Sequence, residues 1–510
     1  MAINVTMLPM RLIPSTMSTQ HPDNAGRAFW CGKSFINTTD EIEEAYTVFK
    51  ELNCNEYMWD WEGKFVDEAV IDKFFRRYTD YFRRHPLGKE KFLTYRIPNI
   101  WEERGYRIAR AFINIITSAD LAIDFKFHSP PVIEIILPMV KTAKQIMEIE
   151  KMFRKTAKLK CKIFSKDKCV LNSINIIPLI ETAEQLTDIK SLLEDYLKMY
   201  KKTYGSYPNY LRPFIARSDP ALNAGLVPAV LGAKAALAQI YELGKKYKVP
   251  MYPIIGTGSL PFRGGVNPEN IKEVIAEYGG IRTITIQSAF KYDYPLSSVK
   301  KAIKFIDKTL PKLKPIMLGS SEIRTIMQIN KFFSGFYKKT VESLAPLINK
   351  IASRIPSRRE RMLHIGLFGY SRGLGKITLP RAIAFTGALY SLGIPPEFIG
   401  TGRGLAQAVR KGNLEFIKNV YINLKRDLVH AGKYLNEENL ELLAKKYPAF
   451  KEILRDIEET KRILGVKFGP IKNYHYLHRN LTSNILYKIK MGKDPSTDII
   501  EAAKIRKSLG

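Results

Sequence analysis

Short, almost unbroken apolar runs alternate with long amphipathic stretches through the first three quarters of the chain, and this alternation limits the fold more than any other feature. Eight runs have strand character: 56–61, 91–97, 132–138, 174–180, 210–216, 251–256, 282–287 and 362–369. Val132-Ile-Glu-Ile-Ile-Leu-Pro138 and Ile174-Asn-Ile-Ile-Pro-Leu-Ile180 lack the apolar/polar alternation of a half-exposed strand. Such runs belong to strands covered on both faces, as in parallel sheets. Between them the 3.6-residue period predicts helices at 66–84, 102–118, 142–156, 182–201, 221–248, 268–278, 297–309 and 379–392. With no hairpin signal between the runs, eight strand–helix units predict a (β/α)₈ TIM-type barrel. An extra helical insertion falls near 321–353, and beyond Gly400 the pattern is helical at 405–432, 436–444, 448–464 and 495–509. The expected organisation is an N-terminal extension (1–16, with 1–9 read as an over-called start), a barrel over 17–400, and a helical C-terminal region over 401–510 packed on it.

Composition excludes several classes. With 45% hydrophobic and 26% charged residues the chain can bury a full core. No apolar run approaches the roughly 18 residues that span a bilayer, so no membrane association is expected. Cys31, Cys54, Cys161 and Cys169 show no CxxC spacing, which predicts reduced thiols and a cytoplasmic location. The 81 Lys+Arg against 50 Asp+Glu leave a formal net charge of +31. These cations are spread along helices with acids among them, and no zinc-finger or RNP-like motif accompanies them. A solvated basic surface is the expectation, and nucleic acid is not an expected partner.

In such barrels, chemistry sits at the C-terminal ends of strands. The run at 91–97 ends in Arg96, that at 174–180 in Glu181, and that at 210–216 leads to Ser218-Asp219-Pro220. The run at 251–256 opens into Gly256-Thr-Gly-Ser-Leu-Pro-Phe-Arg-Gly-Gly265, and the last one leads to Ser371-Arg372 and then Arg381. Arginine forks match phosphate and carboxylate oxygens, and two carboxylates suit Mg²⁺ or Mn²⁺ holding several waters. Upstream, Met17-Ser-Thr-Gln-His-Pro-Asp-Asn24 places His21 before a proline among turn-forming residues, which predicts an ordered loop. A histidine there is a candidate acid/base. Residue chemistry alone gives a metal-assisted reaction on a small phosphorylated, carboxylated substrate.

That octapeptide, together with Met58-Trp-Asp-Trp-Glu-Gly-Lys64, Ala216-Arg-Ser-Asp-Pro-Ala-Leu222, Phe262-Arg-Gly-Gly265 and His364-Ile-Gly-Leu-Phe-Gly-Tyr-Ser-Arg372, resembles the short archaeal-type phosphoenolpyruvate carboxylases. The resemblance implies carboxylation of phosphoenolpyruvate by bicarbonate to oxaloacetate and phosphate, through carboxyphosphate and pyruvate enolate. It also implies Mg²⁺ or Mn²⁺ and a homotetramer. It assigns catalytic roles to His21, Arg263 and Arg372, metal binding to Glu181 and Asp219, and phosphate binding to Arg96 and Arg381. Against the family's long members, a phosphate-binding arginine falls at Thr257, a histidine at Ile255, and a lysine at Leu222. Phosphate is then held by fewer side-chain cations, or with Lys376 or Arg403 compensating. The alternatives are a different barrel enzyme of the same substrate class, such as a phosphoenolpyruvate phosphotransferase or hydrolase, and a basic nucleic-acid-binding protein that has kept a barrel scaffold.

Overall fold

Eight short strands, each parallel to the next, close into one barrel in a computed structural model that describes residues 12–62, 66–102, 105–164, 170–360, 372–374 and 377–510. They are β1 Thr16–Ser18, β2 Glu56–Asp60, β3 Phe92–Arg96, β4 Glu134–Leu137, β5 Asn175–Ile180, β6 Phe214–Ala216, β7 Ile254–Gly256 and β8 Thr283–Ile286. Closure comes from β1, which pairs with β2 (Met17 opposite Glu56) and with β8 (Met17 opposite Thr285). The expected barrel is therefore present, but its strands are counted differently. The octapeptide expected to be loop throughout begins inside β1, and the run at 282–287 supplies the eighth strand. The run at 362–369 lies outside the described residues, and the barrel closes without it.

The barrel interior is filled in layers. Met17, Met58, Ile136, Ile177, Leu179, Phe214, Ala216 and Ile254 form one buried apolar cluster contributed by six strands. At the N-terminal ends of the strands a buried ionic plug replaces it. Arg212 donates to Glu56 Oε2 (2.7 Å), Glu134 Oε2 (2.5 Å) and Thr283 Oγ1 (3.0 Å), and Tyr210 donates to Glu134 Oε1 (2.8 Å). Buried charges of this kind persist only when paired and hydrogen-bonded.

Helices coat the strands where the apolar period predicts them, with interruptions that have local causes. The predicted 221–248 helix breaks at Gly225 (φ 93°) into Ser218–Ala224 and Leu226–Tyr247. The 182–201 helix breaks at Asp188 into Ala183–Thr187 and Ile189–Tyr204. The insertion forms one helix, Ser320–Ala352, which packs on Leu226–Tyr247 and on Thr401–Arg410. From Ala382 onward every described element is helical, including Asn473–Lys490, which the pattern did not single out.

Two expectations need correction. Leu226–Tyr247 is long and apolar enough to cross a membrane, although 89% of its apolar window is buried. Its Lys234 meets Glu277 at 2.6 Å in the interior, a contact suited to a core helix. Cys31 and Cys54 are free thiols, but Cys161 is disulfide-bonded. Scattered spacing along the sequence therefore did not mean four reduced cysteines.

Candidate active site

A cavity of about 310 Å³ opens at the C-terminal ends of the strands and takes in six of the seven predicted residues: His21, Arg96, Glu181, Asp219, Arg263 and Arg381. Arg372 begins a two-stranded antiparallel hairpin, Arg372–Leu374 with Ile377–Leu379, and its side chain lies outside the described residues, as does Lys376. The floor is apolar, with Met58, Leu179, Phe214 and Ala216 projecting from the barrel interior.

The loop leaving β1 is fixed from several sides. Thr19 N–H donates to Ile286 O at 3.0 Å, and Ser288 N–H donates to His21 O at 3.2 Å. The His21 ring Nδ1 lies 2.9 Å from Thr19 Oγ1. Beneath it the fully buried Lys291 ammonium donates to Ser18 Oγ (3.0 Å), Thr19 O (3.2 Å) and Glu44 Oε1 (3.1 Å). Glu44 is held well below the ordinary carboxylate range because the nearby cations Arg359 and Lys291 outweigh its burial. Further along, the Asp293 carboxylate accepts from Ala25 N–H (2.7 Å) and Gly26 N–H (2.6 Å). A histidine on such a loop is preorganised, which is what proton transfer requires.

Asp23 ties this loop to Arg263. Its Oδ1 accepts from Ala289 N–H (2.8 Å) and its Oδ2 from Arg263 Nη1 (3.1 Å). Burial pushes the Asp23 carboxyl up against the opposing pull of Arg263. Arg263 Nη2 donates to Gln287 Oε1 at 2.5 Å, and Nη1 also donates to Gly510 O. Leu509 N–H in turn donates to Asp23 O at 2.7 Å, so the last residues of the chain close one wall of the site. The 3₁₀ turn Pro261–Arg263 ends at Gly264 (φ 117°), and a Cβ there would fall 2.7 Å from Thr257 Cγ2. That close approach is why glycine follows Arg263.

Glu181 directly follows β5, and its Oε2 accepts from Met139 N–H at 2.7 Å. Asp219 follows β6 as the second residue of Ser218–Ala224. Both face the cavity from adjacent strands. Two hard oxygen donors beside open volume fit a divalent cation that keeps water or substrate in its remaining positions. Among the described residues no group of three or more metal-binding side chains occurs, so a bound cation would have only a partial protein shell.

Arg96 is more committed than the sequence reading expected. Its guanidinium meets Asp60 at 2.9 and 2.7 Å and Glu62 at 2.9 Å. Those carboxylates hold its pKa above the ordinary arginine value despite burial. Arg381 occupies the N-cap position of Ala382–Ser391, where the helix dipole favours an anion. Arg403, offered as a compensating cation, is not in the cavity. It is locked to Asp456 (2.7 and 2.9 Å), Glu452 (2.8 Å) and Thr340 (2.8 Å) behind the insertion helix. Sequence reasoning also missed Arg358 and Gln287, which line the cavity, and Asp23, which anchors Arg263.

The model of a family described as phosphoenolpyruvate carboxylase matches residues 13–510. A protein of Oenococcus oeni named phosphoenolpyruvate carboxylase is 39% identical over 98% of this chain and 99% of its own length. Proteins of the same name from Metallosphaera sedula (40% identical) and Caldivirga maquilingensis (39%) align over 98% of this chain and 100% of theirs. A cavity built from the resembling motifs and a match over nearly the whole chain agree: the chain belongs to the phosphoenolpyruvate carboxylase family.

Proposed function

We propose that this protein carboxylates phosphoenolpyruvate with bicarbonate, giving oxaloacetate and inorganic phosphate, and that Mg²⁺ or Mn²⁺ is required. The observation that carries this reading is the meeting of His21, Glu181, Asp219 and several arginines in one cavity with an apolar floor. Bicarbonate oxygen attacks the phosphorus, forming carboxyphosphate and leaving the enolate of pyruvate. His21 takes the carboxyphosphate proton as CO₂ and phosphate separate, and the enolate carbon then attacks CO₂. A divalent cation held by Glu181 and Asp219 would supply charge stabilisation for the enolate oxygen. Arg263 and Arg372 act on the carboxylating species, and Arg381 with Arg96 on phosphate. The Met58, Leu179 and Phe214 floor keeps water from protonating the enolate to pyruvate. We extend the proposal to a homotetramer, for which exposed Tyr106, Ile113, Leu159 and Ile163 offer apolar surface; light scattering measures it.

A coupled assay of oxaloacetate tests the reaction. Product should need phosphoenolpyruvate, bicarbonate and Mg²⁺ together, and phosphate release indifferent to bicarbonate would instead favour a phosphotransferase or hydrolase. The His21→Asn variant should keep bicarbonate-dependent phosphate release while making little oxaloacetate. Full oxaloacetate output from it would remove His21 from its role.

A further inference from the structure

Two guanidiniums flank the His21 loop, and they are engaged very differently. Arg263 is held through Nη1 by the Asp23 carboxylate and Gly510 O and through Nη2 by Gln287, with its Nε left without a hydrogen bond among the described residues. Arg358 is 7% exposed, yet it makes no ion pair among the described residues. Its Nε donates to Asn24 O (3.2 Å) and its Nη2 to Ala25 O (2.8 Å), leaving Nη1 without a hydrogen bond among those residues. Its neighbour Arg359 shows the alternative, with Glu41 and Glu44 each at 2.8 Å. Arg358 lines the cavity from a segment pinned in place, since Ile36 N–H donates to Arg358 O at 3.0 Å. Burial pulls its guanidinium below the ordinary arginine range, with Asp293 opposing. A desolvated cation facing open volume is costly until an anion arrives there.

Its place around the mouth says which anion. In a closed eight-stranded barrel β1 stands across from β5, so the Glu181 and Asp219 carboxylates lie opposite the loop that carries His21. Arg358 is hydrogen-bonded to that loop. We infer that Arg358 is a substrate-binding residue whose Nη1 receives the bicarbonate oxyanion, and then the carboxylate of carboxyphosphate, beside His21. It forms and breaks no covalent bond; it holds the carboxyl group for the proton transfer and leaves phosphoenolpyruvate to the far side. The inference rests on the carboxylation reading above.

Initial rates with each substrate varied separately test it on the full-length enzyme. Arg358→Gln keeps a donor for the loop but removes the charge, and its bicarbonate KM should rise roughly 10- to 100-fold, the equivalent of one charged hydrogen bond. Its phosphoenolpyruvate KM should stay within about twofold. Arg358→Lys should fall between the two and folds in any case with a cation retained. A bicarbonate KM unchanged in both variants, or both KM values rising in parallel with a lower melting temperature, would make Arg358 a structural clamp and overturn the inference. Unmodified enzyme that makes no oxaloacetate refutes the carboxylation reading, and this inference with it. Normal carboxylation with an unaltered KM split in the variants overturns this inference alone.

Discussion

Gly258 sits where a single methyl group would press directly on Arg263. A Cβ at that position would lie 2.6 Å from Arg263 Cζ, 2.8 Å from Nη1 and 2.9 Å from Nη2, about 1 Å inside van der Waals contact. The tip of an arginine usually swings away cheaply. This one is 1% exposed and held by Asp23, Gln287 and Gly510, so it has nowhere to go. Gly258 is not among the glycines with positive φ, so alanine strains no backbone there and the effect isolates the side-chain clash. Moving the guanidinium by half an ångström or more misaligns one or two charge-assisted hydrogen bonds, each of roughly 1.5–3 kcal/mol. Allowing for relaxation, Gly258→Ala should weaken the transition state by about 2–3 kcal/mol and lower kcat/KM by roughly 30- to 150-fold. The coupled oxaloacetate assay reads this, with circular dichroism confirming the fold. Gly335→Ala is the control: it lies in the helix Ser320–Ala352 with nothing within 4 Å of its Cβ position. That change should stabilise by roughly 0.5–1 kcal/mol and leave activity alone. A folded Gly258→Ala enzyme within about threefold of the parent would refute the claim that Arg263 is immobile in its clamp.

Two further predictions concern stability. Burial pushes the Glu397 carboxyl up to about 7, although its Oε1 accepts from Phe262 N–H (2.9 Å) and Tyr390 OH (2.8 Å). The folded state therefore holds a proton that the unfolded chain releases, and stability from this group, full at low pH, is lost as pH rises toward 7. Glu397→Gln should gain melting temperature over the parent as pH rises through that window, and a constant or shrinking difference would refute the assignment. At the barrel base, Arg212→Met would leave Glu56 and Glu134 buried without a counter-ion, costing roughly 3–5 kcal/mol in urea unfolding. A loss below about 1 kcal/mol would mean that water or protonation compensates.

The barrel was legible because seven of its strands are runs long enough to carry a pattern. β1 was not: Thr16–Ser18 is no shorter than β6 or β7, but those lie within the apolar runs 210–216 and 251–256. Met17 is instead surrounded by Ser15, Thr16, Ser18 and Thr19, so its strand character comes from pairing with β2 and β8. The run at 362–369 filled the vacant eighth place because apolar continuity does not distinguish a barrel strand from any other covered segment. In the site, strand-end residues such as Glu181, Asp219 and Arg263 could be read from position. Arg358 could not: Ser357-Arg-Arg-Glu360 looks like a solvated charge cluster, and only tertiary packing buries its two arginines. Asp23 and Gln287 were hidden for the same reason, since each acts through a partner far away in sequence. The Arg403 alternative failed because sequence shows the cation and not Asp456, which neutralises it.

The Asp23–Arg263–Gly510 wall has a consequence for how the enzyme comes into being. Its contacts join residues 240 and 247 positions apart, and Ser508 Oγ reaches Asp23 O across 485 positions. Ordering so long a loop is entropically demanding, and non-local contacts of this kind form late. Barrel closure itself joins Met17 to Thr285 over a comparable span, but it needs nothing beyond β8 and buries Trp59, which is 0% exposed, without the contacts of Ser508 and Gly510. Catalytic competence is then the final event of folding. Tryptophan fluorescence should reach its native value ahead of activity during refolding, and a nascent chain should carry a complete barrel before it carries a working site.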